Sequence, residues 1–169
     1  MFKQIPGFNV SEKKINLMMA RVVSINISKG GIPKIPVSMV RLTFLGLDGD
    51  GHNHTKHNTP TQAICIQDLE KLIQLSQNGY DLEPGQAGEN LTVENLNVNG
   101  LALGAILEFS GGVILEISKV RKPCYVMDAI DPRLKDDAVG RHGMYAKVVK
   151  EGILKTGETI VVKMSSPSF

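Results

Sequence analysis

Apolar residues recur along much of this chain at every second position, in short runs broken by glycine, proline and small polar residues. In "ARVVSINIS" (20–28) Val23, Ile25 and Ile27 alternate with polar neighbours, the period-2 pattern of a half-buried strand. "PVSMVRLTFLG" (36–46) is β-branched and aromatic, opens on proline, closes on glycine and predicts one further strand. "TQAICIQ" (61–67) puts Ala63, Cys65 and Gln67 on one face and Ile64 and Ile66 on the other. The period then lengthens. In "DLEKLIQLSQNG" (68–79) Leu69, Leu72, Ile73 and Leu75 recur at helical spacing, with Asp68 as the N-cap and Gly79 as the stop.

The stretch 80–100 carries glycines, a proline and many carboxylates and amides, and it reads as a long ordered loop. "AILEFSGGVILEISKV" (105–120) is two alternating runs joined by Ser-Gly-Gly, which predicts a β-hairpin. "GMYAKVVKEGILKTGETIVVKM" (143–164) gives further strands of one barrel, punctuated by Glu-Gly and Thr-Gly-Glu. One short helix among many closely spaced short strands makes the chain mainly β, a barrel or sandwich with a few short helices.

Length and charge narrow the setting. The 169 residues show no repeat, low-complexity tract or linker, so one domain over 1–169 is expected. A chain of this size buries about 70% of its unfolded surface and needs no metal or disulfide to hold a core. Lys and Arg total 19 against 17 for Asp and Glu, a net charge of +2 spread along the chain, which gives no case for nucleic-acid binding. Apolar runs such as "LALGAIL" (101–107) fall far short of a membrane span, and the N-terminal stretch lacks a signal-peptide centre. A cytoplasmic protein with reduced thiols is expected.

Candidate chemistry lies in three stretches. In "RKPCYVMDAIDP" (121–132), Arg121 and Lys122 precede Cys124 and Arg133 follows it. Cations favour the thiolate, which is the nucleophile and metal ligand. Pro123 ends ladder bonding, placing Cys124 at a strand end. Against this stands the reading of Cys124 as a small buried hydrophobe. Cys65, within "AICI" and without a charged neighbour, reads as a core residue. In "GLDGDGHNHTKHNTP" (46–60), His52, His54 and His57 stand near Asp48 and Asp50, but their spacing matches no zinc-ligand signature, and His52 and His54 read as part of a solvated polar loop. In "PGQAGENLTV" (84–93), Gly85 and Gly88 can bring backbone N–H groups to an anion, while Glu89 and Asn90 can fix polar ligand groups. No nucleotide-binding fingerprint is present in it.

Taken in order, "GLDGD" (46–50), "KHNTPTQAI" (56–64), "GENLTVENL" (88–96), "LEISKVRKPC" (115–124) and "GRHGMYAKVVKEGILKTGETI" (140–160) resemble the MOSC domain, the module named after the C-terminal part of molybdenum-cofactor sulfurase. The resemblance runs from about residue 20 to about 163 and implies a MOSC-type β-barrel, as in small stand-alone bacterial members. It places the family's hallmark cysteine on Cys124, as a ligand of molybdenum in the pterin cofactor or as a carrier of sulfur. It implies that Asp50, His57, Glu89 and Asn90 line the surrounding pocket, with Arg121 and Arg141 as anion contacts. Family members often carry His-Gly-Gly-Pro where this chain has His57-Asn58-Thr59-Pro60, so two glycines are replaced by side chains that can hydrogen-bond.

Two functions follow from the resemblance. The first is a molybdenum-cofactor-binding protein that uses Cys124 as metal ligand and reduces N-oxygenated substrates with electrons from a separate donor protein. The second is a persulfide carrier that takes sulfur from a donor and passes it to an acceptor, with no cofactor bound.

Overall fold

The computed structural model describes residues 19–51, 59–123 and 125–164. His52, His54, His57 and Cys124 lie outside the described residues. In chain order the elements are β1 (Ala20–Ile27), β2 (Ile35–Val37), β3 (Met39–Thr43), β4 (Gly46–Leu47), β5 (Ile64–Asp68), α1 (Leu69–Gln77), β6 (Leu91–Glu94), β7 (Ile106–Phe109), β8 (Ile114–Val120), α2 (Tyr125–Asp128), α3 (Leu134–Asp137), β9 (Met144–Lys150), β10 (Gly152–Lys155) and β11 (Thr159–Lys163).

Hydrogen bonds link the strands in the order β11-β7-β8-β9-β5-β6-β1, and β1 pairs back onto β11, so the sheet closes into a barrel. Closure leaves this ring without a free edge, and the leftover edge strand β2 is short and proline-bearing. A second, three-stranded sheet, β10-β3-β4, stands beside it. The pairs are antiparallel except β5–β6, which run parallel. Parallel neighbours need a crossover, and α1 with the following segment supplies it.

Cross-strand register explains the two faces. Ile25, Leu91, Ile66 and Met144 stand opposite one another in a row across β1, β6, β5 and β9, and all four are buried in the barrel core. The neighbouring row, Ser24–Thr92–Gln67, points to the other face by the period-2 rule and is also buried. A second apolar cluster covers this outer face: Leu72 and Leu75 of α1 with Tyr80, Leu82, Ala87, Met127, Leu134 and Ala138. β5 is therefore enclosed on both sides.

Several expectations change in detail. The expected single strand over 36–46 is divided at Ser38: β2 joins the barrel on β1, while β3 leaves it to pair with β10. For the same reason the expectation that 143–163 adds strands to one barrel holds for β9 and β11 but fails for β10. The long loop over 80–100 contains a barrel strand, β6, and a 3-10 turn at Val98–Gly100. In β1 the buried apolar positions are Val22 and Ile25 rather than the Val23–Ile25–Ile27 series, because a bulge between Val22 and Ser24 shifts the phase by one. The helix over 68–79 and the hairpin over 105–120 form as expected. Asp68 occupies the N-cap position, yet its carboxylate accepts the Val98 N–H at 2.8 Å in place of a helix N–H.

Candidate functional site

The outer face of β1, β6 and β5 carries a polar stripe sandwiched between the two apolar clusters. Ser24 Oγ donates to Asn26 Oδ1 at 2.6 Å, and Asn26 Nδ2 donates to Thr92 Oγ1 at 3.1 Å. Thr92 Oγ1 in turn donates to Glu89 Oε1 at 2.8 Å, which also accepts the Gly85 N–H at 2.7 Å. Glycine is required at 85, where φ is +89° and a Cβ would lie 2.3 Å from the Lys34 carbonyl oxygen. This close approach pins the loop before β6 onto the segment between β1 and β2.

Asn90 and Asp50 join the stripe to the 46–51 segment. The Asn90 backbone N–H donates to the Cys65 carbonyl at 2.9 Å, Asn90 Oδ1 accepts the Cys65 N–H at 3.0 Å, and Asn90 Nδ2 donates to Asp50 Oδ2 at 2.8 Å. Asp50 also accepts from the Ser28 N–H at 2.9 Å and from Lys34 Nζ at 2.6 Å. Its side chain is 1% exposed, so its charge is neutralised inside the protein by Lys34. Asp50 thereby ties the 46–51 segment to Ser28, Lys34 and Asn90.

Arg121 follows the last residue of β8 and is 6% exposed. Its guanidinium donates to the Ala87 carbonyl at 2.6 Å and lies within 3.4 Å of where a Gly88 Cβ would stand. It lies near enough to Glu89 to oppose the rise in that residue's pKa: burial pushes Glu89 up, and the Gly85 N–H, Thr92 and Arg121 pull it back. His142, whose carbonyl accepts from Arg121 at 3.4 Å, is pushed the other way, first by burial and then by the Arg121 charge, both of which disfavour its charged form.

Of the expected site residues, Asp50, Glu89, Asn90 and Arg121 belong to this connected assembly. Arg141 turns instead to Asn78 Oδ1, at 3.3 Å, and to the Asp137 carbonyl. Its own carbonyl accepts from Gln67 Nε2 at 2.7 Å. Lys122 is exposed, and Arg133 pairs with Asp131 at 2.8 Å and caps the Tyr80 ring at 5.9 Å. Cys65 is buried as expected but on the stripe face, outside both apolar clusters. Lys34, Gln67, Thr92 and His142 were not singled out from sequence as site residues. The one available signal was Gln67, which falls in phase with Cys65.

The family model for the MOSC domain matches residues 53–161. The chain belongs to the MOSC domain family. The YuaD protein from Bacillus subtilis is similar in structure to this MOSC domain, with a TM-score of 0.74 and 19% identity, over 88% of this chain and 98% of that one. YiiM from Geobacillus stearothermophilus gives a TM-score of 0.71 and 25% identity, over 85% and 75% of the two chains. A protein named as a reductase from Gibberella moniliformis is 33% identical over 85 residues, which take in 48% of this chain but 15% of the fungal protein.

Proposed function

We propose that this MOSC domain binds a molybdenum–pterin cofactor with the Cys124 thiolate as metal ligand, and that it reduces N-oxygenated substrates with electrons from a separate donor protein. The observation that carries the reading is the meeting of three sequence-distant segments on one buried polar stripe: Asp50, Glu89–Asn90 and Arg121, the last leading directly into Cys124. The name of the fungal relative agrees with reductive chemistry.

The residues present suit such a group. Gln67 Oε1, on the stripe, is buried without a hydrogen-bond partner. Such an orphan costs about 1–3 kcal/mol, a deficit that a ligand bearing a donor can offset. Arg121 and Lys122 would supply positive charge to an anionic cofactor, and the soft Cys124 thiolate suits molybdenum better than an oxygen ligand. When bound, the cofactor would supply two-electron chemistry at the metal. Two protons must also reach the substrate as its N–O oxygen leaves as water. In this reading Glu89, whose protonated form burial favours, would hold one of them.

The test is metal and pterin content after purification from a molybdenum-replete host, with intact mass. Molybdenum and pterin in the wild type, both lost in Cys124→Ser with an unchanged melting temperature, supports the reading. A gain of about 32 Da on Cys124 without molybdenum would replace it by the persulfide carrier. Neither load on Cys124 overturns both.

A further inference from the structure

The three-stranded sheet β10-β3-β4 does not close on itself, so β10 is one of its two edges. The hydrogen bonds along β10 fix which of its backbone groups face outward. The Thr156 N–H donates to the Ser38 carbonyl at 3.0 Å, and the register then runs Lys155–Met39, Leu154–Val40, Ile153–Arg41 and Gly152–Leu42. Antiparallel ladders alternate bonded and non-bonded pairs. Leu154 and Gly152 therefore bond to β3, while Glu151, Ile153 and Lys155 present their backbone groups to the open side. Arg41 confirms the phase, since its carbonyl turns away from β10 to accept the Asp48 N–H at 2.9 Å. The turn after β10 takes up Lys155, whose N–H donates to Glu158 Oε1 at 2.9 Å. Glu151 and Ile153 remain at the open edge.

The side chains alternate with the same period. Leu154 is buried on one face, which it shares with Gly152, while Glu151, Ile153 and Lys155 are exposed on the other. Ile153 is 45% exposed, a large apolar side chain in the middle of an unpaired edge. Along the exposed face the order is acid, apolar, base. Laid antiparallel to itself, that order is its own complement.

We propose that β10 pairs antiparallel with β10 of a second copy of this chain, about a two-fold axis at Ile153. In that register Ile153 meets the partner's Ile153, and the two exchange N–H···O bonds through the groups left open. Glu151 faces the partner's Lys155, and Lys155 faces the partner's Glu151, on the same exposed face. Glu151 keeps an oxygen for this, because the Phe44 N–H engages Oε1, at 2.8 Å. On the buried face each Leu154 lies opposite the partner's Gly152, which has no side chain to obstruct it. A slip by one residue would set exposed Ile153 against buried Leu154, and a slip by two would set a charge against Ile153. The join makes one six-stranded sheet from two three-stranded ones. A contact of a single short strand pair falls among the smallest interfaces, so the dimer is weak, with a Kd of about 0.1 mM. It uses neither Cys124 nor a bound cofactor.

The experiment is sedimentation equilibrium of the purified protein from about 10 μM to about 1 mM, with amide hydrogen exchange at both ends of that range. The expected result is a monomer–dimer equilibrium, with slower exchange of the Ile153 amide at the high concentration. Lys155→Glu and Glu151→Lys each set like charges opposite one another and should weaken the dimer at least about tenfold. The double variant Glu151→Lys/Lys155→Glu should recover it, because both pairs return with their signs exchanged. Ile153→Lys, at an exposed position, should abolish the dimer and leave the melting temperature of the monomer unchanged. A monomer throughout the range overturns the proposal. So does a dimer that survives Ile153→Lys, or a double variant that dimerises no better than the single ones.

Discussion

Asn90 hydrogen-bonds both backbone groups of Cys65 and, through its remaining amide hydrogens, the Asp50 carboxylate. It thus splices the start of β6 to β5 and to the segment before His57 with one residue. Leucine at this position would take from the buried Cys65 N–H its Asn90 acceptor and from Asp50 one donor, leaving Asp50 to Lys34 and the Ser28 N–H. Asn90→Leu should therefore lose about 1–3 kcal/mol in urea denaturation. Asn90→Asp should be as damaging at neutral pH, since a second carboxylate would face Asp50, and should recover partly on acidification. A loss under about 0.5 kcal/mol, the range of an ordinary surface change, would show the splice to be dispensable.

The Lys34–Asp50 pair is nearly dry, with side chains 11% and 1% exposed. Removing one partner strands the other charge. Lys34→Met should cost about 3–5 kcal/mol, whereas the exposed Arg133→Met, which removes the Arg133–Asp131 pair, should change stability by less than about 1 kcal/mol. Melting curves of the two variants side by side make the comparison. Equal effects would contradict the assigned difference in burial.

Asp68 gives a pH signature. Burial raises its pKa from an ordinary 3.8 to about 6, so the folded state holds the proton more tightly than the unfolded chain. The associated stabilisation is complete below about pH 4 and lost as pH rises through 6. The shift corresponds to about 3 kcal/mol at 1.36 kcal/mol per unit. At pH 7.5, Asp68→Asn should accordingly be more stable than the wild type, and the two should converge near pH 4. A wild type that gains stability from this residue between pH 4 and 6 reverses the sign and refutes the assignment.

Gly143 and Gly112 both take left-handed angles, φ +82° and +98°, but only the first is crowded. A Cβ at 143 would sit 2.2 Å from the Ile66 carbonyl oxygen, while one at 112 meets nothing within 4 Å. Gly112→Ala should cost about 1–2 kcal/mol from backbone conformation alone. Gly143→Ala should cost at least about 2 kcal/mol more, because β5 and the start of β9 must separate. Urea midpoints decide it, and similar losses would mean that the backbone yields at 143.

Where sequence pattern and structure agree, a turn or period leaves little choice. Ser110-Gly111-Gly112 between two alternating runs is such a case, as is the helical spacing of Leu72 and Leu75. β6 escaped because "NLTVEN" is short and set among asparagines and glycines, so its period-2 signal is hidden by loop-like neighbours. The division at Ser38 leaves no local trace at all, since which sheet a strand joins is decided by partners far along the chain. The gathering of Asp50, Asn90 and Arg121 was legible only through the family resemblance; residue types alone did not link them. His142 had no signal beyond its place in the family-like stretch 140–160, because a histidine between arginine and glycine reads as surface until α3 and Arg121 are seen beside it.

The seam between β1 and β11 rests on two residue pairs, Ala20 with Ile160 and Arg21 with Thr159. β1 leaves the ribosome about 140 residues ahead of its seam partner. Until Thr159 and Ile160 clear the exit tunnel, the nascent chain carries a finished wall with an open margin, and the loop-closure entropy of the ring falls due in one step. Slow translation of the stretch leading to Thr159 would prolong that exposure, and a holding chaperone that masks Ala20–Arg21 would be needed until it is complete.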